Sequence, residues 1–419
     1  MTLLQIASTL IVLAGAFGAV NYLVLKLPSA IGILIVALLA SLIVMGLDAL
    51  IPGLRVADTI RAQVVGIEFS DALLEGMLGL LLFAGALHVK TADLRAEWPT
   101  VTLMATMGIA ISTAVVGYGF AWVTGMPLLV ALVFGALISP TDPVAVMGVL
   151  RETNLPKSLE TKIAGESLFN DGVGYVVYLI LVGAAFTGAS HGEEAETGLV
   201  AAAELFLREA LGGAVLGLVL GFLTFRLMRR IDDYSLEVLL TLGLAFGGYE
   251  LAVALHVSAP IMAVCAGLLI GDVGTRLGMS EETRRYVEAF WKLIDEILNA
   301  VLFLLIGVEV FAIAFAPALV LAGLAAIGLG LVARFLAVAI PITLLRPFRS
   351  YQGGVIRIMT WGGLKGGISV ALALSLPDSD WKPHILTATY MVVVFSIIVQ
   401  GLTVAWLANH VNPQPKLIP

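Results

Sequence analysis

Along 419 residues, apolar runs long enough to cross a bilayer follow one another with only short polar interruptions. A helix needs about 20 consecutive apolar residues to traverse roughly 30 Å of hydrocarbon. Cutting the chain wherever charges or Pro/Gly turns interrupt such runs gives thirteen segments. They lie at roughly 3–25, 29–51, 67–89, 100–124, 127–150, 160–187, 199–227, 236–255, 259–275, 288–313, 317–341, 353–376 and 384–408. Backbone in lipid must satisfy its own hydrogen bonds, so the expected fold class is an all-α polytopic membrane protein. Only 13% of the residues are charged, about half the share of a soluble domain. A net charge of −7 leaves no basic footprint for nucleic acid. The single cysteine, Cys265, excludes a disulfide framework and a cysteine metal cluster. No G-x-x-x-x-G-K-[ST] loop occurs, so no nucleotide is expected to bind and no ATP to drive the protein.

The first segment lacks a basic n-region and a cleavage site, and reads as a retained helix rather than a signal peptide. Loop charge sets the orientation. With the N-terminus outside, sixteen Lys and Arg residues fall on the cytoplasmic side, from Lys26 through Arg226–Arg230 and Arg276–Lys292 to Lys416. Only Arg55, Arg61 and Lys382 fall outside, as does the acidic 188–198 stretch with His191, Glu193, Glu194 and Glu196. The C-terminus is then cytoplasmic. Arg208, among Glu204 and Glu209, is expected near the surface, and Arg357 to snorkel from one turn inside its segment. Arg334 and Lys365 lie deep in apolar runs, where a charge marks a pathway or an ion pair. The 281–298 run, with Tyr286, Phe290, Trp291 and Leu293 among charges, reads as an interfacial amphipathic entry to the tenth segment.

Two segments are interrupted in similar ways. The fifth carries Ser139-Pro140-Thr141-Asp142-Pro143, whose prolines remove two backbone donors. The twelfth carries Trp361-Gly362-Gly363-Leu364-Lys365-Gly366-Gly367, whose glycines destabilise a continuous helix. Seven apart in the count, the two cross with opposite polarity. Interrupted helices at corresponding, oppositely oriented places point to an inverted-repeat secondary transporter rather than an enzyme. The breaks are then expected to cross near the bilayer middle, where Asp142 compensates helix N-termini and Lys365 helix C-termini.

The sixth segment reads Gly165-Glu166-Ser167-Leu168-Phe169-Asn170-Asp171-Gly172. Glu166 and Asn170 share one helix face, and Ser167 and Asp171 another. Asp171 and Ser167 are therefore expected to face a cavity with Asp142 and Thr141, while Glu166 meets a neighbouring helix and pairs with Arg334. Carboxylate, hydroxyl and unwound carbonyl oxygens suit a hard monovalent cation. One carboxylate that binds either a proton or a cation makes an exchanger. Lys365 reads as a mobile counter-charge or as a helix-end neutraliser. Asp71 and Glu75 share a face of the third segment near the outer boundary. Glu250, Asp272, Asp295 and Glu296 read as solvated or capping groups near segment ends. His88, His256 and His384 sit near boundaries as weak pH-sensor candidates.

These residues resemble the electroneutral sodium/proton antiporters of the monovalent cation:proton antiporter family, in the NhaP branch related to animal sodium/hydrogen exchangers. The resemblance rests on LLFAGALHV at 81–89, SPTDPVAV at 139–146, GESLFNDG at 165–172, FWKLIDEILNAVLFLLIG at 290–307, ARFLAVAIP at 333–341 and WGGLKGGISVALALSLP at 361–377. It implies thirteen transmembrane helices in two inverted six-helix repeats, in a homodimer in the bacterial inner membrane. It implies a dimerisation scaffold from 1–99 and 188–316, and a core ion-transport domain from 100–187 and 317–419, moving by alternating access. It implies that Asp171 exchanges ion and proton, and that Thr141, Asp142, Ser167 and Asn170 complete the site. Asp171, Thr141 and Ser167 would hold the transported Na+. Glu166 and Arg334 would form a structural ion pair. With Asn170 neutral, one carboxylate exchanges one proton for one cation, so electroneutral 1:1 exchange of Na+ (or Li+) for H+ is expected, with no cofactor. Two positions depart from the family pattern: Lys365 replaces an arginine, and Lys292 stands where an acidic residue is expected. The large cytoplasmic tail of animal relatives is not expected here.

K+/H+ exchange on the same scaffold is the rival reading, since residue types do not set the radius of the site. A cation channel would want a filter of repeated carbonyls or charge rings, which the sequence does not show. An ion-sensing receptor would want a soluble signalling domain, and the loops are too short for one.

Overall fold

Prolines and small polar residues set where the helices begin. Pro28, Pro127 and Pro156 stand just before α2 (Ser29–Leu50), α5 (Leu128–Ile138) and α7 (Lys157–Phe186). Asp233, Ser258 and Ser280 cap α9 (Tyr234–Ala254), α10 (Ala259–Leu277) and α11 (Glu281–Val308) by accepting from backbone amides. The Leu236 amide, donating to Asp233 Oδ1 at 3.0 Å, and the Ser235 hydroxyl hold that exposed carboxyl below its usual range. Gly125, at φ 72°, ends α4 (Thr91–Thr124) in the left-handed conformation.

The computed structural model describes residues 3–51, 60, 77–150, 155–187, 199–313 and 315–411. The remaining helices are α1 (Leu4–Leu25), α3 (Leu78–Leu87), α6 (Pro143–Leu150), α8 (Leu199–Met228), α12 (Pro317–Leu345), α13 (Val355–Trp361), α14 (Gly367–Leu374) and α15 (Lys382–Val411). Among the described residues there is no strand, and nine helices are long and apolar enough to span a membrane. Large apolar side chains such as Ile43, Trp122 and Leu223 stand exposed on the outer face, as lipid contact requires. Asp71, Glu75, Arg55, Arg61, Arg151, the 188–198 stretch and Lys416 lie outside the described residues.

Two apolar clusters organise the interior. One joins α4–α7 and α12–α15, and also takes Ile31 and Leu34 of α2 and Leu302, Phe303, Leu305 and Ile306 of α11. The other joins α3, α8, α9, α10 and the first half of α11, with Leu168 of α7. Helix α11 therefore packs into both.

The structure moves several expected boundaries. Helix α4 starts at Thr91 rather than near 100, with Pro99 inside it. Apolarity marks where a helix meets lipid, not where it begins, so the polar turn Thr91–Trp98 escapes that criterion. The 281–298 run leads into the tenth segment as expected, and the two form one continuous helix, α11, which starts at Glu281 rather than near 288. Its Trp291 is fully buried and donates from Nε1 to Thr241 Oγ1 at 2.9 Å, packed edge-on against Phe290 and tilted on Phe83. Helix α12 runs past Pro341 to Leu345.

Candidate functional site

Both interrupted segments are broken where the prolines and glycines stand. Helix α5 stops at Ile138 and α6 starts at Pro143; α13 stops at Trp361 and α14 starts at Gly367. Breaking a helix inside a protein strands backbone groups that must find new partners. Here the two breaks partner each other. The Asp142 amide donates to the Leu364 carbonyl at 2.8 Å. Lys365 Nζ donates to the Ser139 carbonyl at 2.8 Å and to the Pro140 carbonyl at 3.2 Å. The Lys365 amide donates to Ser396 Oγ at 2.9 Å, in a π-turn of α15, and Gln400 Nε2 donates to the Trp361 carbonyl at 3.1 Å. Pro140 and Pro143 have no amide hydrogen to satisfy.

Helix α7 supplies the other wall. Asn170 grips Thr141 from both ends of its amide: Nδ2 donates to Thr141 Oγ1 at 2.8 Å, and Oδ1 accepts from the Thr141 amide at 3.3 Å. Ser167 Oγ lies 2.9 Å from Thr141 Oγ1. Thr141, Ser167, Asn170 and Asp171 are all buried. Asp171, Asp142 and Thr141 line one cavity of about 60 Å³, with Asn299 of α11 and Ser369 of α14 as further polar groups among apolar walls. That volume suits a small ion with a water or two, not an organic substrate.

The five-residue spacing of Glu166 and Asp171 on α7 separates two tasks. Asp171 lines the cavity; Ser167 reaches Thr141 without lining the cavity, and Asn170, expected on the face of Glu166, also turns to Thr141, while Glu166 points away to α12. There its carboxylate takes both forks of the Arg334 guanidinium, Nη1 to Oε1 and Nη2 to Oε2, the second at 2.8 Å. Arg334 Nε and Nη2 also donate to the Met359 carbonyl at 3.2 and 3.0 Å, which ties the pair to the end of α13. The geometry of Lys365 is that of a helix-end neutraliser, since its ammonium sits on the carbonyls that end α5.

Two glycines of the second break admit these side chains. A Cβ on Gly363 would stand 2.1 Å from Arg334 Nε, and one on Gly366 would stand 2.5 Å from Asp142 Oδ2. Gly363→Ala and Gly366→Ala are each expected to cost about 1–3 kcal/mol by overpacking. Thermal unfolding in detergent checks this. An unchanged midpoint in both variants would mean that the breaks do not pack this closely.

Some residues lie elsewhere than the sequence reading expects. Asp295 is not at a segment end; it sits mid-way along α11 and is held to Asn299, whose Nδ2 donates to the Asp295 carbonyl at 2.7 Å and to its Oδ1 at 3.0 Å. Asp272 accepts from the Thr91 hydroxyl and lies 3.4 Å from Arg276. Glu250, Glu296, Arg208 and Arg357 are exposed. His88 bonds the Ala84 carbonyl at 2.7 Å and His384 packs on Trp381; neither of them, nor His256, lines the cavity. Sequence reasoning passes over Asn299, a polar residue inside an apolar run, which was its only signal. It also passes over a half-buried cluster away from the cavity, where Glu97 meets Lys162 at 3.0 Å and Arg349 at 3.4 Å.

Comparison with known proteins agrees with this geometry. The pattern of the family described as sodium/hydrogen exchanger, transmembrane, matches residues 7–410. The Na+/H+ antiporter NhaP of Pseudomonas aeruginosa is 48% identical over 98% of this chain and 97% of its own length. The Na+/H+ antiporter NhaH of Halobacillus aidingensis is 36% identical over 90% of this chain and 91% of its own. Among solved structures, the sodium proton antiporter MjNhaP1 of Methanocaldococcus jannaschii has the same fold, with a TM-score of 0.75 at 19% identity over 98% of this chain and 99% of that one.

Proposed function

The chain belongs to the sodium/hydrogen exchanger family, and from that premise we propose that it is a secondary antiporter exchanging Na+ for H+ across a bacterial inner membrane. It is a multi-pass membrane protein, and its relatives are transporters. The observation that carries the proposal is the pair of mutually satisfied helix breaks beside one small cavity lined by Asp142 and Asp171.

Asp171 is the exchanging carboxyl: proton and cation compete for its oxygens. Thr141 and Ser167 supply hydroxyl oxygens to the cation. Asp142 precedes the first turn of α6, where the helix dipole favours a carboxylate. Asn170 holds the break by Thr141 and carries no charge. Glu166 and Arg334 hold α7, α12 and α13 together. Li+ shares the oxygen preference and is a second cargo. One exchanging carboxyl gives 1:1 electroneutral stoichiometry. Reconstituted vesicles are therefore expected to show Na+-driven proton flux with no transport current at any membrane potential, and a current that scales with voltage would contradict this.

Thirteen helices in two inverted repeats place the breaks at matching positions of opposite polarity. The two apolar clusters support a core of 100–187 and 317–419 working against a scaffold of 1–99 and 188–316, with two copies joined through the scaffold. The N-terminus lies outside and the C-terminus in the cytoplasm, by the basic residues of the loops. The test is reconstitution with a pH gradient, adding Na+, Li+ and K+ in turn while internal pH is followed. Na+ is expected to collapse the gradient. A response to K+ alone would assign the site to K+/H+ exchange, and no response to any of them would overturn the proposal.

A further inference from the structure

The cavity has one polar wall that belongs neither to the broken helices nor to α7. Asn299 stands on α11, within the scaffold, and is buried. Its Nδ2 is committed to α11 itself, to the carbonyl and the carboxylate of Asp295. An amide has one donor end and one acceptor end, so fixing the donor end towards Asp295 leaves Oδ1 as the atom for the cavity. The main-chain carbonyl and the carboxylate of Asp295 together hold the donor end of Asn299 on α11, and the carboxylate is the part a substitution can remove. If the amide were reversed, it would present hydrogens to a site built for a cation.

We propose that Asn299 supplies an oxygen ligand to the transported cation from the scaffold side, and that Asp295 is the positioning residue that keeps that oxygen turned inward. This rests on the antiport reading above. Asp171, Asp142 and Thr141 travel with the core, whereas Asn299 stays with the scaffold. The ligand set therefore differs between the two ends of the transport cycle: Asn299 contributes in the conformation described and is left behind when the core moves. An uncharged ligand that is present in only one state adjusts cation affinity there without altering the charge count of exchange.

The experiment is Na+-dependent proton flux in vesicles, with KM and kcat measured for the wild type, Asn299→Ala, Asn299→Ser, Asp295→Ala, the double Ala variant and Asp171→Asn. Losing one oxygen ligand is expected to raise the Na+ KM about tenfold in Asn299→Ala, with kcat within about twofold. Asn299→Ser keeps an oxygen and is expected to recover part of that loss. Asp295→Ala is expected to raise KM about threefold, and the double variant to match Asn299→Ala, because the two residues act as one unit. A merely structural role would lower the unfolding midpoint and leave KM in place. An unchanged KM in folded Asn299→Ala overturns the inference, as does an Asn299→Ser KM no lower than that of Asn299→Ala or full additivity in the double variant. Failure of the antiport reading looks different: the wild type itself would give no flux, or Asp171→Asn would retain it.

Discussion

Asp171→Asn is expected to silence exchange, with Na+-driven proton flux falling about a hundredfold or more, to the level of protein-free vesicles. Asparagine has nearly the same shape and can still offer one oxygen to a cation, but it cannot take up and release a proton. The variant is expected to fold, because it removes a buried charge rather than leaving one unpaired. The cavity retains Asp142, yet that carboxylate sits at the start of α6 and beside the Lys365 break, and it does not take over the exchange. Flux measured alongside the unfolding midpoint separates lost chemistry from lost fold. A folded Asp171→Asn variant that still exchanges would remove Asp171 from the centre of the site.

The second large effect concerns stability. Glu166 and Arg334 are both buried, and the guanidinium fork meets the carboxylate twice while also bonding the Met359 carbonyl. Removing one partner leaves the other charge buried and uncompensated, at a cost of about 3–5 kcal/mol. Glu166→Gln and Arg334→Ala should therefore lower the unfolding midpoint by much more than Asp171→Asn does. Replacing both at once, as Glu166→Leu with Arg334→Met, should cost far less than either alone, since no charge is left behind. Arg334→Lys should rescue poorly, because an ammonium cannot form the planar fork. Na+ affinity is expected to change within about threefold in Glu166→Gln variants that fold. A stable Glu166→Gln variant with strongly weakened Na+ affinity would instead put Glu166 among the ligands of the ion.

Some of this architecture was written locally in the chain. Proline pairs and glycine runs have direct backbone consequences, so the breaks at 139–143 and 361–367 can be read from the local sequence, and the five-residue spacing on α7 separates the faces of Glu166 and Asp171. Long-range partners were a different matter. The spacing of Lys365 says nothing about the Ser139 and Pro140 carbonyls more than 220 residues earlier, on which its ammonium sits. Asn299 was overlooked because a lone amide in an apolar run commonly bonds its own helix, and this one does so as well. Its second role depends on which side of α11 faces the cavity, a matter of packing between helices far apart in sequence. Helix ends differ from the apolar boundaries for a related reason: Glu281–Lys292 starts on the Ser280 cap and Thr91–Trp98 starts without a side-chain cap, and neither stretch is marked by apolarity.

When one carboxyl serves proton and cation in turn, competition between the two is the direct signature. The decisive measurement is the Na+ KM of vesicles holding the wild-type protein, followed over a series of pH values. On the acidic limb KM is expected to rise about tenfold for each unit of pH, with kcat unchanged, because each bound proton excludes one cation from the same oxygens. A KM that stays constant while kcat falls would show proton and cation binding at separate groups, and would contradict the single-carboxyl mechanism.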